Sequence, residues 1–110
     1  MLLEKTLVAN DIICLKISNG DEVIGKITEI NEKIVTIAKP LLMVLSQDPR
    51  TQQPGVQMVP FWMLGSDRDA KYPVSRDHVV CMVRANQDAV KGYTAMTSGL
   101  TIPGAGGLIT

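Results

Sequence analysis

Neither sign of charge dominates this sequence: 11 basic and 11 acidic residues in 110 leave a net charge of zero. No global field therefore draws the chain to nucleic acid or to anionic membranes, and any RNA binding has to come from a local patch. No stretch approaches the roughly 20 apolar residues that a membrane helix needs. Glu4 and Lys5 also stand where a signal peptide would be continuously apolar. The expectation is a cytoplasmic protein with no membrane partner. The two cysteines, Cys14 and Cys81, lie far apart, each among aliphatic residues. Metal ligands usually come in close pairs, so both thiols are read as small buried hydrophobes, and no metal or cofactor is expected. No internal repeat is visible, and 110 residues suffice for one core with no room for a separate catalytic module.

The chain is 45% hydrophobic and only 20% charged, too apolar for disorder and slightly rich for a small monomer, so part of that surface is expected between subunits. Its pattern is one of short β-rich runs separated by turns. After Leu2 to Ala9, which has room for two helical turns, Ile12 to Ile17 is strand-like, with Ile13, Leu15 and Ile17 on one face. Asn19-Gly20 then predicts a hairpin with a type I′ turn. The second run, Glu22 to Ile30, holds Gly25, which inside a strand marks a bend or a close backbone approach.

Asn31-Glu32-Lys33 makes the next turn, and Ile34 to Ala38 returns as a third strand that continues from Leu41 to Leu45 past a kink at Pro40. A polar loop spans Ser46 to Gly55. Val56 to Leu64, interrupted at Pro60, predicts a fourth strand, and a charged connection at 66–71 leads to a fifth at Val79 to Arg84. From Asn86 the signal weakens. Asp88 to Met96 has the makings of a poor helix broken by Gly92, and the Gly-rich remainder is read as flexible, or as an arm ordered by a neighbouring subunit. The division expected is a domain over 1–85, its first ten residues an arm or short helix, and a weakly structured extension over 86–110.

Leu15 to Asn31 resembles the first motif of the Sm, LSm and Hfq proteins. An apolar strand is followed by Asn19-Gly20, a second glycine at Gly25, and apolar residues at Ile27 and Ile30. More loosely, Val74 to Val83 is similar to the second Sm motif, with Ser75-Arg76 where eukaryotic members carry Arg-Gly and Asp77-His78 where Hfq carries Lys-His. The long insert from Pro40 to Tyr72 and the extended tail resemble, in layout, the Sm-like proteins of tailed phages, especially those of cyanobacteria. The resemblance implies an all-β fold, a small, strongly bent five-stranded barrel. It also implies a homo-oligomeric ring in which the fourth and fifth strands pair with those of neighbours. The long apolar fourth run agrees, since such a strand left as an exposed edge invites aggregation.

The family binds single-stranded RNA at the pore, through loop residues that correspond here to Asn31, Lys33, Arg76 and His78. An aromatic or His that would stack on a base is replaced by Lys33, which removes roughly 1 to 3 kcal/mol per base. Glu32 and Asp77 stand beside the basic residues and are multiplied equally in a ring, so the sign of the pore potential is open. His78, close in sequence to Ser75 and Asp77, is not read as catalytic, because neighbours in a strand point to opposite faces while a triad converges from different elements. Two functions follow, neither enzymatic: a ring that binds single-stranded RNA, or a ring that serves as a structural or protein-interaction adaptor.

Overall fold

The computed structural model describes residues 6–61, 65–67 and 69–98. Six strands form one antiparallel sheet: β1 (Ile12–Ile17), β2 (Glu22–Ile30), β3 (Ile34–Gln47), β4 (Pro54–Pro60), β5 (Lys71–Ser75) and β6 (Val79–Arg84). A three-residue 3-10 turn, Arg76–His78, joins β5 to β6, and a helix, α1 (Gln87–Thr97), follows. The order across the sheet is β4-β3-β2-β1-β6, with β5 also paired to β3.

The expected closed, strongly bent five-stranded barrel is not formed. The sheet is open: among the described residues β6 pairs only with β1, and β4 and β5 pair only with β3. A strand that the sequence did not predict, β5, forms between the expected fourth and fifth. Pro60, with no N–H to give the ladder, ends β4, and Pro73 is tolerated in β5 because β5 is an edge strand. Trp62, Met63 and Leu64, expected to extend the fourth strand, lie outside the described residues. There is no helix over residues 6–9, so the short N-terminal helix is also corrected for the part described. The helix forms at the other end instead.

The β1–β2 turn differs from expectation in type. Gly20 alone has a positive φ (95°), its N–H donates to the Ile17 carbonyl at 2.8 Å, and Asn19 Oδ1 accepts from the Asp21 N–H at 2.9 Å. This is a longer hairpin loop with glycine in the left-handed position, whereas type I′ needs positive φ at two central residues.

β3 bends at Lys39-Pro40. Ile24 faces Leu41 and Lys26 faces Ala38, so Gly25 of β2 opposes two residues of β3. An extra residue of this kind bends a strand and increases its twist. Lys39 takes it up with φ 49°, and Pro40 is buried. On one side of the bend Ile34–Ala38 pairs with β5; on the other Leu41–Gln47 pairs with β4. The opposing residue has to be small, because a Cβ on Gly25 would lie 3.2 Å from Ile37 Cβ and 3.5 Å from the Ala38 oxygen.

Strand alternation gives the sheet two apolar faces. Ile13, Leu15, Val23, Ile27, Val35 and Ile37 form the main core on one face, with Val74, Val79 and Met82 packed against it. Ile24 and Leu41 on the opposite face pack under Tyr93 of α1, with Cys14, Met43 and Met58 around them. Asn86 caps the helix, its Oδ1 accepting from the Ala89 N–H at 2.8 Å. Gly92 does not break it. It packs against Met58, whose Cε would stand 3.2 Å from a Cβ at this position. Packing thereby outweighs a propensity penalty of about 1 kcal/mol.

α1 is also tied to the bend. Tyr93 Oη donates to the Ala38 carbonyl at 2.8 Å, and Lys39 Nζ donates to the Thr97 carbonyl at 3.5 Å. Burial pushes the Tyr93 phenol up from its ordinary 10.0 to about 12. Among the described residues no helix is long and apolar enough to cross a membrane.

Three expectations follow. Gly25→Ala should lower stability by roughly 1 to 3 kcal/mol by overpacking against Ile37, while Lys39→Gly, which relieves a left-handed backbone, should leave the urea midpoint unchanged or raise it. The Tyr93 phenol is favoured in its neutral form. Its contribution to stability should be complete below pH 10 and be lost as pH rises towards 12. Unfolding measured across that range for the native chain and for Tyr93→Phe should show a steeper loss in the native chain; parallel curves would refute the assignment.

Candidate nucleic-acid interface

The β2–β3 turn is built around Asn31. Its Oδ1 accepts from the N–H groups of Lys33 and Ile34 at 2.8 and 2.9 Å, an Asx turn that fixes the direction in which β3 leaves. The pairing of Ile34 with Ser75 brings the end of β5 alongside this turn. There the Arg76 N–H donates to the Lys33 carbonyl at 2.8 Å, and Arg76 Nη1 donates to the Asn31 carbonyl at 2.6 Å. Three of the four predicted site residues, Asn31, Lys33 and Arg76, are thus brought together by backbone and side-chain hydrogen bonds.

His78 is placed elsewhere. Its carbonyl accepts from the Ser18 N–H at 2.8 Å, so it adjoins the β1–β2 turn. The 3-10 turn therefore runs from one hairpin turn to the other, Arg76 fastened at the first and His78 at the second. Ser75 Oγ accepts from the Asp77 N–H at 3.3 Å and caps this short turn, which gives the hydroxyl a structural task. Lys33, Asp77, Glu32 and the His78 ring are exposed. Among the described residues the Lys33 ammonium has no hydrogen-bond or ion-pair partner, which leaves it available to a phosphate. Arg76 is different: it is half-buried and one guanidinium nitrogen is committed to the chain's own backbone.

The two open edges of the sheet carry residues that alternation did not single out. On β6, Val80 is 67% and Val83 57% exposed; at the far side Leu45 is 79% and its cross-strand partner Val56 57% exposed. Val80 escapes a reading by period because the register shifts beside it, between Lys16 and Ile17, leaving it unpaired with β1. Leu45 and Val56 lie where β3 and β4 continue as a two-stranded ribbon beyond Glu22, the last β2 residue paired with β3.

The cysteines also depart from expectation. Cys81 is exposed on β6, and Cys14 is half-buried, its thiol donating to Met43 Sδ at 3.9 Å. Burial, and next the carboxylate of Glu22, push the Cys14 thiol above its ordinary value, which keeps it protonated and unreactive. Among the described residues no three His, Cys, Asp or Glu side chains are grouped to hold a metal ion.

Asn31→Ala should remove the two turn hydrogen bonds and cost about 0.5 to 2 kcal/mol, the range seen when a short polar side chain is lost from orphan backbone donors. Arg76→Met should cost a similar amount by freeing the Asn31 carbonyl. Urea denaturation of the two single variants and the double variant tests this; strictly additive losses would mean that the turn and the arginine act independently. Comparison of the chain with protein-family models and with curated protein sequences finds no match.

Proposed function

We propose that this protein is a non-enzymatic, self-assembling Sm-like chain whose copies join edge to edge through β4 and β6 into a ring. The repeated corner formed by Asn31, Lys33 and Arg76, with His78 at the other end of the 3-10 turn, then contacts single-stranded RNA. The observation that carries the reading is the apolar character of both open edges. Val80 and Val83 on one side, and Leu45 and Val56 on the other, are exposed in a single chain, and an apolar strand edge is a template for pairing. Two different edges meeting head to tail give a closed ring when the rotation between copies fits.

The resemblance of Leu15 to Asn31 to the first Sm motif supports the RNA half. So does the exposure of Lys33, since a ring multiplies each cation by the number of copies. This reading puts the protein in the cytoplasm, that of the host for a phage-encoded chain. A second reading, a ring that serves as a protein-interaction adaptor, is favoured by one specific observation. The Asn31 side chain and one Arg76 nitrogen are already engaged within the chain, and the turn offers no aromatic ring to a base.

Assembly and RNA binding are tested separately. Val80→Lys should lower the mass measured by light scattering to that of a single chain without changing the far-ultraviolet circular dichroism; an unchanged mass would remove β6 from the interface. Labelled oligo-U and oligo-A should bind saturably, with an affinity that falls as salt rises. Lys33→Glu should weaken that binding at least tenfold with ring mass preserved. A ring that binds neither oligomer at low salt would overturn the RNA reading and leave the adaptor reading.

A further inference from the structure

Sulfur donors that are scattered in the sequence gather on one face of the sheet. The Cys14 thiol of β1 lies 3.9 Å from Met43 Sδ of β3. Met43 in turn faces Met58 of β4 directly across the β3–β4 ladder. Such partners on one face hold their Cβ atoms about 4.5 to 5.5 Å apart, within the swing of two unbranched thioethers. All three residues are half-buried and pack around Ile24, Leu41 and Tyr93. An open groove beside α1 reaches Met43 and Met58 from solvent, and Asn86 and Asp88 give it a polar side with one carboxylate.

We propose that Cys14, Met43 and Met58 bind a soft monovalent metal ion, Cu(I), which enters by that groove. The spacing fits. Two sulfurs 3.9 Å apart can share one ion through bonds of about 2.3 Å, the length a thiolate makes to a first-row d10 metal such as zinc, with roughly 115° between them. That angle is close to trigonal and leaves a third position for Met58. The donors come from three different strands, so the close pairs by which metal ligands show in a sequence are absent.

Donor type selects the metal. A thiolate with thioethers suits Cu(I), whereas zinc sites are completed by further Cys or His and calcium or magnesium sites by oxygen ligands. Among the described residues no group of three His, Cys, Asp or Glu offers those alternatives. Charge points the same way. One thiolate and two thioethers carry a single negative charge, so a monovalent ion leaves a neutral set in a half-buried place. Glu22, beside the thiol, stands opposite Lys16 and is balanced by it. Asp88 in the groove favours the entry of a cation. On binding, the sulfur–metal bond forms as the S–H bond breaks, and the proton leaves to the buffer.

The test uses the full, reduced chain with 13C-labelled Met methyl groups, titrated with Cu(I) held in a chelator of known affinity. One equivalent is expected to move the Met43 and Met58 methyl resonances and to leave Met82, which packs on the opposite face, in place. Cys14→Ser should abolish binding, and Met43→Leu, which conserves volume, should weaken it at least tenfold, while Cys81→Ser leaves it unchanged. Circular dichroism checks the fold of each variant, and Met43→Leu carries the test if Cys14→Ser fails to fold. Binding that vanishes with Cys81→Ser would put the ion on the exposed edge thiol instead. Met43 and Met58 resonances that stay in place at saturating Cu(I) would leave these sulfurs as packing alone. Either result overturns the proposal.

Discussion

The arrangement of this molecule depends on the mismatch of one residue against two where β2 passes β3. Gly25 faces Lys39 and Pro40, and the bend that results divides β3 into two halves with separate partners. Without it a 14-residue strand would present one continuous edge to one long partner. With it, β4 and β5 occupy successive halves of the same edge. The bend is held from the other face, since Tyr93 bonds the carbonyl just before it and Lys39 reaches the last turn of α1. A strained backbone position, whose cost is of order 1 to 3 kcal/mol, persists only where its surroundings over-determine it, and here a helix and a glycine do so together.

The same bend explains why the helix is where it is. An antiparallel sheet commonly turns one face to water, yet in this chain both faces are apolar. Ile13 and Leu15 alternate with Ile12 and Cys14 along β1, so a second layer is required on the side away from the main core. α1 supplies it, but with 11 residues it covers only the middle of that face. What stays bare is distributed towards the two edges, at Val83 on one side and at Leu45 and Val56 on the other.

Local features were legible in the sequence to the extent that they rest on steric rules for single residues. Alternation placed Ile12–Ile17 and Glu22–Ile30, Gly25 signalled a close approach, and Pro40 a kink. Features that depend on what packs against what were not. Pro73 disguised β5, because the freedom of an edge strand to hold a proline shows only once the edge is known. Gly92 disguised α1, because the packing of Tyr93 on Ile24 and Leu41 outweighs the propensity of one residue. The closed barrel inferred from the motif gave way to an open sheet because pairing partners, unlike strands, are not written locally. For the candidate site, the convergence of Asn31, Lys33 and Arg76 follows from the β3–β5 register. That Arg76 holds the turn's own carbonyl could not be read from spacing at all.

The 3-10 turn between β5 and β6 has one more implication, for how this chain tolerates change. Its three residues connect two hairpin turns with hydrogen bonds at both ends, so the length of that segment acts as a gauge that sets the gap between the turns. An added residue there has no slack to enter and would part Arg76 from Asn31 or His78 from Ser18. The opposite extreme is the tip of the β3–β4 ribbon at Asp48–Gln53, closed on itself by bonds between Asp48, Gln52 and Gln53 and remote from both cores. Peptide tags or reporter sequences belong at that tip, where extra length is absorbed by a loop that positions nothing else.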